Sequence, residues 1–583
     1  MRIQVVKSPN GIKRVYLVEP YRNEAGQARN RTVKSYGRLD QLQASDPEVL
    51  DKLRVEAALA NKEAAQRSGL IHYDTSEPND GQLASNYGWW LIETVWRHLG
   101  LGTYLKQVQR ERAWQIDVEA ICRVLVASRV VWPGSKRAAI AKADQLLLGP
   151  KIDLAQTYQA LDHLAELSER IQAKTRRALT TNTSRGLTDR VVFYDVTNYF
   201  FTTDLPDTDP VGLDGLRGQA TRQDGYSKEH RLSPIIQMGL FQNSSGIPLG
   251  YRLFDGNQPD QVTLPRALAD FKTSNQVDKI VVVADKAMNN QVNTGMLAQS
   301  GDDWVFSASA RAATRKLQSW MLDAGGWCWV DSEQTMRVKS QVVKRSVVWI
   351  TPEGAKVHKT VSEKIIARWS ADHGARDRAN RTDMLTKAQV LVDQPGKLFA
   401  SNRRGVKKYV KSEQVDPATG LLKDREHMHL SIDLARVDHD ARFDGLWLIH
   451  TSLLDTPDQE VLAHYHQLWR IEDTFRVSKT NLETRPVFVS TPAHIEAHFL
   501  TCFLALQITC LLHQQIPDLP IGQLLETLRQ TRACLVGQSV YRLERPVGWD
   551  LIDQATAMGL DQQWATLTQL RTWHTNLINT NIR

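Results

Sequence analysis

The stretch RVVFYDVTNYFF, residues 190–201, is a run of β-branched and aromatic residues that holds one acid, Asp195. This composition, bounded by polar segments, predicts a buried β-strand. Residues 233–254 then predict two further strands joined by a Ser-Ser-Gly turn, which is an antiparallel hairpin. A sheet therefore begins in this part of the chain.

Two more apolar runs extend the predicted sheet. Residues 280–284 predict one strand, which Asp285 directly follows. A helical segment comes next, and residues 303–309 predict another strand. Together these segments predict a mixed α/β fold with a five-stranded sheet. Acids at strand ends are a common way of placing ligands on a rigid edge, although Asp also ends strands and caps helices for purely structural reasons.

The segment YHQLWRIEDTFRVSK, residues 465–479, predicts an amphipathic helix. Tyr465, Glu472 and Lys479 are each seven residues apart, which is about 700° of rotation, so they share one stripe. Arg476 lies one turn beyond Glu472 on the same stripe. The competing interpretation is a solvated surface helix held by pairs of charges four residues apart.

The three acids Asp195, Asp285 and Glu472 form a candidate metal site. Three carboxylates that converge repel one another unless cations neutralise them. Mg²⁺ fits, because it is a hard ion that takes a few carboxylates and completes its shell with water and phosphate oxygens. Two such ions could activate a water or a 3′-hydroxyl and stabilise the leaving oxygen of a phosphodiester.

The positive charge of the chain is concentrated in one internal segment. The chain carries +8 overall, from 73 Lys and Arg against 65 Asp and Glu. Residues 311–444 hold 25 basic and 17 acidic residues, which leaves 48 of each elsewhere. The same region, residues 308–455, alternates like a β-rich insertion and is rich in tryptophan, with Trp320, Trp327, Trp329, Trp349 and Trp369 among its residues. Basic and aromatic residues together suit a nucleic-acid groove, but an ordinary β-subdomain would have the same composition.

The remaining segments predict smaller regions around this core. The predicted division is a small β unit with a helix (1–75), a helical, DNA-end-binding region (76–187), the core in two parts (188–307 and 456–515) around the insertion (308–455), and a C-terminal helical region for dimerisation (516–583). Trp89, Trp90 and Trp96 recur at helical spacing, which favours core packing over a stacking platform for bases.

The chain has features of a cytoplasmic protein. Its five cysteines show no metal-binding spacing, which fits a reducing compartment. The N-terminus does not resemble a signal peptide. The longest apolar segment, residues 499–512, is too short and too polar to span a bilayer, so it predicts a core helix and no membrane partner.

Several motifs together resemble one family. They are FYDVTNYF around Asp195, GYSKEHR (225–231), GIPLGYRLFDGN (246–257), VVVADKAMNN (281–290) and the 465–479 segment. In content and order they resemble a bacterial insertion-sequence DDE transposase of the Y-R-E-K signature group, in the IS-four-like superfamily and its branch with a β-strand insertion before the catalytic Glu. The resemblance covers roughly residues 190–510 and implies an RNase H-like catalytic core.

By this resemblance, Asp195, Asp285 and Glu472 are the catalytic, metal-binding triad. Tyr465 and Lys479 also match the signature, but its arginine position is occupied by Leu468.

Other cations are expected to contact DNA phosphates. Arg470 lies two residues from Glu472, about 200° round a continuous helix, so it cannot replace the missing arginine. Arg476 is on the correct face. Within GYSKEHR, the resemblance implies DNA contacts for Lys228, His230 and Arg231, although a solvated loop would look the same.

The resemblance implies a DNA transposase that uses two Mg²⁺ ions, for which Mn²⁺ may substitute. Such an enzyme binds the terminal inverted repeats of its element as a homodimer, cleaves there as an endonuclease, and joins the 3′-hydroxyl to target DNA in a recombination reaction. In the bacterial cytoplasm it would associate with the nucleoid. Two alternatives stay open: an inactive or domesticated DNA-binding relative, and a glycoside hydrolase with a carboxylate pair.

Overall fold

The computed structural model describes thirteen stretches of the chain. They are residues 1–8, 10–22, 28–67, 84–180, 190–207, 222–229, 232–275, 279–351, 354–394, 404–414, 428–536, 540–556 and 562–579. The chain divides into two units, Met1–Gln82 and Leu83–Arg583.

The first unit is the small β unit that the sequence predicts. Its elements are β1 (Arg2–Lys7), β2 (Lys13–Arg22), β3 (Ala28–Arg38), α1 (Leu39–Ser45) and α2 (Val49–Arg67). The strands form an antiparallel meander in the order β1-β2-β3. Val15, Leu39 and Leu53 are buried together and give this unit its own core.

The second unit begins with a short strand and a group of helices. These elements are β4 (Ser85–Asn86), α3 (Trp89–His98), α4 (Leu101–Glu111), α5 (Val118–Val131), α6 (Lys136–Ala141) and α7 (Leu154–Thr180). Trp89 and Trp90 are fully buried, and both indole Nε1 atoms donate hydrogen bonds to the Leu147 carbonyl, at 2.9 and 3.0 Å. Trp96 is also buried, so the core interpretation of these tryptophans is confirmed.

A nine-stranded mixed sheet forms the centre of the second unit. Its strands are β5 (Val191–Phe200), β6 (Ile235–Asn243), β7 (Pro248–Asp255), β8 (Val281–Ala284), β9 (Asp303–Ala308), β10 (Cys328–Trp329), β11 (Met336–Ile350), β12 (Lys356–Ser370) and β15 (Leu446–Thr451). The predicted five strands are adjacent in the order β7-β6-β5-β8-β9. β5 pairs with β8, and β8 with β9, in parallel, whereas β5-β6-β7 is antiparallel. The prediction of a mixed α/β fold is confirmed.

The predicted limit of five strands is wrong, because strands of the basic insertion continue the same sheet. β15 pairs antiparallel with β9 on one side and with β12 on the other, and the long β11–β12 hairpin follows. A core that ended at β9 would leave a row of unpaired backbone groups, and β15 satisfies them. The insertion is thus part of the central sheet.

The insertion also contains helices and a separate two-stranded sheet. These elements are α10 (Arg315–Leu322), α11 (Ala371–Asp393), α12 (Arg404–Lys407), β13 (Val410–Gln414), β14 (Met428–Ile432) and α13 (Leu434–Ala441). Two helices of the core lie earlier in the chain, α8 (Thr263–Asn275) and α9 (Gln291–Ser300).

Helices after the insertion cover one face of the sheet. They are α14 (Asp458–His466), α15 (Trp469–Arg476), a π-helical turn (Val477–Asn481) and α16 (Pro492–Gln515). Among the described residues, α16 alone has the length and composition of a membrane span, yet 89% of its apolar window is buried inside the protein. It is therefore the core helix that the sequence predicts.

The C-terminal region is only partly helical, which corrects the prediction. Its elements are α17 (Ile521–Gln530), β16 (Arg532–Val536), β17 (Val540–Glu544), α18 (Trp549–Thr556), β18 (Trp564–Thr566) and α19 (Leu567–Asn579). The three strands form a sheet with β4, in the order β18-β17-β16-β4. The cause is a pairing over a long sequence distance, Arg532 with Asn86. His574 of α19 lies 2.6 Å from Glu93 of α3, so this region packs within its own chain.

Candidate active site

Asp195 and Asp285 occupy equivalent positions on neighbouring parallel strands. The last register pair between β5 and β8 is Tyr194 with Ala284, and each acid is the next residue. Because side chains alternate along a strand and adjacent strands are in register, both carboxylates belong to the same face. The two acids that the sequence singles out are therefore neighbours.

Asp285 is held by the next strand of the sheet. It follows β8 and begins a short 3₁₀ turn, Lys286–Met288. Ser307 of β9 donates a hydrogen bond from its Oγ to Asp285 Oδ1, at 3.0 Å. This contact fixes one carboxylate oxygen and leaves the other for a ligand.

Glu472 and Tyr465 approach the same region from the helices above the sheet. Burial raises the pKa of Tyr465 to about 12, a hydrogen bond with Ser307 opposes the rise, and the negative charges of Asp285, Glu472 and Asp195 add to it. The charges of all three acids thus raise the pKa of this phenol. Hydrogen bonds through Ser307 join Tyr465 to Asp285.

Asp195 is partly buried among charges of both signs. Burial raises its pKa to about 6, while the Lys228 ammonium and a hydrogen bond from the Val196 amide counteract the rise. The carboxylates of Asp285 and Asp260 raise the pKa further. A carboxylate in this environment is poised to accept a cation, which would favour its ionised form.

Two lysines supply positive charge beside the acids. Lys228 donates a hydrogen bond to the Val196 carbonyl at 2.5 Å and lies 3.4 Å from Asp260. Burial lowers the pKa of Lys479 to about 8, with a contribution from Lys228, while Asp195 acts in the opposite direction.

Glu229 joins one of these lysines to a further cation. Its carboxylate lies 3.4 Å from Lys479 and also pairs with Arg485. Lys479 is thereby held beside the strand that bears Asp195, since its ammonium also lies 5.4 Å from the centre of the Tyr199 ring.

The donor set fits a hard divalent cation, although it is not closed around one. Among the residues that the structure describes, no three His, Cys, Asp or Glu side chains lie close enough together to form a complete metal site. Asp195 and Asp285 provide carboxylate oxygens at equivalent positions on adjacent strands, which is the ligand type that Mg²⁺ takes together with water and substrate oxygens.

The helix that carries the signature is interrupted, which corrects the prediction of one continuous stripe. α14 ends at His466 and α15 begins at Trp469, with a turn between them, and a π-helical turn contains Lys479. Hydrogen bonds over three residues tighten the chain here, from the Arg470 amide to Gln467 and from the Ile471 amide to Leu468. The positions of Tyr465, Glu472 and Lys479 therefore do not follow from ideal helical rotation.

The cations near this break have different environments. Leu468 is buried in the main core, so the signature's arginine position points away from solvent. Arg470 donates a hydrogen bond to the Ser244 carbonyl in the β6–β7 turn. Arg476 is exposed and pairs with Asp473 at 2.6 Å. Of the expected DNA contacts in GYSKEHR, Lys228 is described above, whereas His230 and Arg231 lie outside the described residues.

Three further residues of the site are not singled out by the sequence. Ser307 is hydrogen-bonded to Asp285, Asp260 raises the pKa of Asp195 and lies 3.4 Å from Lys228, and Glu229 pairs with Lys479. Asp260 and Glu229 lie in connections between strands, and no helical or strand period relates them to Asp195. Ser307 lies in a predicted strand, but the sequence does not indicate that this strand pairs beside Asp285.

A family model, transposase DDE domain, matches residues 207–508, which is more than half of the 583 residues. The chain belongs to the transposase DDE-domain family. It is accordingly a transposase whose partner is DNA and whose family uses divalent metal ions. Asp285 and Glu472 lie inside the matched region, and Asp195 precedes it.

Other comparisons add little to this assignment. One similar solved structure is the cryo-EM structure of a piggyBac transposase synaptic complex with hairpin DNA, with a TM-score of 0.31 and 7% identity, over 79% of this chain and 76% of that chain. At this TM-score the likeness carries no argument about this protein. No curated protein matches the sequence.

Proposed function

We propose that this protein is the transposase of a bacterial insertion sequence, which cleaves DNA at the ends of its element and transfers the freed strand to a target. The single observation that carries the proposal is the placement of Asp195 and Asp285 at equivalent positions on neighbouring parallel strands, with the charge of Glu472 raising the pKa of the Tyr465 phenol that both acids also affect. Acids grouped in this way suit divalent cations and phosphodiester chemistry better than a lone structural role.

Asp195, Asp285 and Glu472 would hold two Mg²⁺ ions, for which Mn²⁺ may substitute. When bound, such ions activate the attacking oxygen and stabilise the leaving oxygen of a phosphodiester. Bound cations would also offset the repulsion from Asp285 and Asp260, which adds to the rise that burial causes in the pKa of Asp195.

The chain's own residues then orient the reacting groups. Ser307 holds Asp285 in one rotamer through its hydrogen bond, and Lys228 ties the strand after Asp195 to Asp260. Tyr465, a neutral phenol at ordinary pH, can donate a hydrogen bond to a phosphate oxygen. Lys479 supplies positive charge beside Asp195.

We assign DNA-phosphate contacts to Tyr465, Arg476, Lys479 and Lys228, and expect them also of His230 and Arg231. Arg476 has an exposed side chain that pairs with Asp473, a neighbouring and partly exposed acid, so a phosphate can replace that acid at small cost.

The core is inferred to be RNase H-like. The supporting observation is the order β7-β6-β5-β8-β9, in which an antiparallel three-stranded part continues into a parallel part through β5. The strands between β9 and Glu472 support membership of the Y-R-E-K group and of its IS-four-like branch with a β insertion. The proposal also includes the substrates, which are terminal inverted repeats and target DNA. The enzyme would act as a homodimer in the bacterial cytoplasm.

One observation favours a second candidate, a catalytically inactive DNA-binding relative. Leu468 replaces the signature's arginine and is buried, so that guanidinium is missing from its usual place. The two candidates differ in whether the protein cuts DNA.

The test is strand nicking of a supercoiled plasmid that carries the DNA flanking this reading frame, with Mg²⁺, with Mn²⁺ or with a chelator. We expect nicking with either metal and none with the chelator. Asp195→Asn, Asp285→Asn and Glu472→Gln should each reduce the nicking rate at least about a hundredfold, because each removes a charged group that acts at the reacting centre. Binding to the same DNA should remain.

Asp224→Asn is a matched control, because it removes an exposed acid from the connection before β6. It should nick at the wild-type rate. Absence of nicking by the wild type with both metals, together with retained DNA binding, would favour the inactive relative instead.

A further inference from the structure

A cavity of about 440 Å³ lies beside the acids, between the core and the insertion. Asp285, Ser307 and Tyr465 line one part of it. The insertion lines another part with Arg368 of β12 and Arg376 of α11. The cavity thus brings insertion cations to the edge of the candidate active site.

The sheet register fixes the position of Arg368. It is the direct partner of Trp447 on β15, and two residues further along β15, Ile449 is the partner of Ser307 on β9. Side chains two residues apart on a strand point to the same face. Arg368, Trp447 and Ser307 therefore share the face that bears Asp285, to which Ser307 is hydrogen-bonded.

Aromatic contacts complete the connection across this face. The Arg368 guanidinium carbon lies 5.1 Å from the centre of the Trp447 ring, and the Trp447 and Tyr465 rings lie 5.1 Å apart. These contacts are built from packed rings on a regular sheet, so Arg368 has a defined place relative to Tyr465.

Arg368 has no acid to neutralise it within the described residues. Its Nε atom is buried and has no hydrogen-bond partner there. Arg311, in the same cavity, differs, because it lies 3.3 Å from Asp377 and 3.0 Å from Asp444. A partly buried guanidinium without an anion costs stability, and such a cost is expected where a ligand supplies the anion.

We propose that Arg368 binds a backbone phosphate of the DNA substrate in this cavity, and so supplies the guanidinium that Leu468 does not. A guanidinium binds phosphate oxygens with two parallel hydrogen bonds, and Trp447 holds the guanidinium plane. Arg376, exposed at the same cavity, adds charge at its rim. The proposal rests on the proposed function, because the phosphate belongs to the strand presented to Asp285.

The first test measures binding of a fluorescent duplex that contains the flanking DNA, by anisotropy over a range of salt concentrations with Ca²⁺ as the added metal. The variants are Arg368→Met, which keeps an aliphatic stem over Trp447, and Arg368→Lys. Losing a charged hydrogen-bonding group should weaken binding roughly tenfold or more, and the slope of log affinity against log salt should fall by about 0.9 for one lost phosphate contact. Arg368→Lys should recover part of the affinity.

Lys344→Met is the matched control. Lys344 is an exposed cation on β11. Val338 on the same strand is the register partner of Arg368, and the six residues from Val338 to Lys344 span about 20 Å. It should bind with the wild-type salt slope. Equal slopes for wild type and Arg368→Met would overturn the proposal.

A second measurement separates contact from stability. Single phosphates of the duplex are replaced in turn by uncharged methylphosphonates, and the affinity of each duplex is measured. At one position the replacement should weaken binding by the wild type but not by Arg368→Met. Arg368→Met should lower Tm by no more than about 2–4 °C, because within the described residues the side chain loses only its contact with the Trp447 ring, which is worth about 1 kcal/mol. Additive losses at every position, or a larger fall in Tm, would mean that Arg368 is structural.

Failure of this proposal differs from failure of the proposed function. If wild type nicks DNA with Mg²⁺ but Arg368→Met binds and nicks equally well, the function stands and Arg368 is excluded. If wild type never nicks, the anisotropy result still reports whether Arg368 contacts a phosphate.

Discussion

At the scale of single residues, the ionised carboxylate of Asp195 lowers the stability of the metal-free protein. Its pKa of about 6 lies above the ordinary value of 3.8, chiefly because the carboxyl is buried. The folded protein therefore holds this proton more tightly than the unfolded chain. Stability from this group is complete below about pH 4 and is lost as the pH rises through about 6. A metal ion at the site would reverse that loss.

Asp195→Asn is consequently expected to stabilise the metal-free protein at pH 8. Removing the ionised carboxylate should raise Tm by roughly 2–5 °C there and by much less at pH 5, where the wild type is largely protonated. Differential scanning fluorimetry with a chelator measures both values. Added Mg²⁺ should raise Tm of the wild type and leave Tm of the variant unchanged. A variant that is less stable than wild type at pH 8 would contradict this account.

Residues of the site differ in how far the sequence identifies them. Asp195 and Asp285 follow from composition, because Asp195 is the lone acid within an apolar strand and Asp285 directly follows another. Arg368 and Ser307 do not, because their place depends on which strands pair across the insertion. Asp260 reaches Lys228 only through the folded connection. The local sequence pattern thus predicts which acids lie on strands, whereas the residues around them depend on how the strands pair.

At the scale of elements, the break between α14 and α15 is the largest departure from the sequence-based expectation. The spacing of seven residues predicts one stripe, but the turn at Gln467 and Leu468 and the π-helical turn change the register. Leu468 enters the core at this break. Two interactions favour this break over a regular helix. Leu468 is buried in the core, and Arg470 donates a hydrogen bond to the Ser244 carbonyl.

Leu468→Arg, which restores the signature's arginine, is therefore expected to destabilise the protein and not to raise its activity. Burying a cation without a partner costs at least about 2 kcal/mol, whereas Leu468→Met nearly conserves volume and should cost less than about 1.5 kcal/mol. Urea unfolding followed by circular dichroism measures both. An arginine variant that is as stable as wild type and nicks DNA faster would show that the side chain reaches the site.

At the scale of the whole molecule, the sequence predicts segments well and long-range pairing poorly. The small β unit, the helical region and the five core strands all follow from local pattern. The extension of the sheet by β15 and the sheet of β4 with β16 do not. Those pairings join residues that are far apart, such as Asn86 and Arg532, and no local period encodes which distant strands meet.

The division into two units gives the last prediction. Met1–Gln82 has a core of its own around Val15, Leu39 and Leu53, while the acids, the cavity and the central sheet belong to Leu83–Arg583. Because burial of apolar side chains dominates stability, a chain that begins at Leu83 keeps the contacts that hold its core.

A variant without residues 1–82 should therefore melt within about 2–4 °C of the full chain, since a change of about 1 kcal/mol shifts Tm by that amount in a large domain. It should also keep metal-dependent nicking, because no residue of the candidate site is removed. The matched comparison removes residues 562–583, which include α19 and its contact from His574 to Glu93. That deletion exposes part of the buried face of α3 and should lower Tm clearly. Equal losses from both deletions would show that the first unit also stabilises the core.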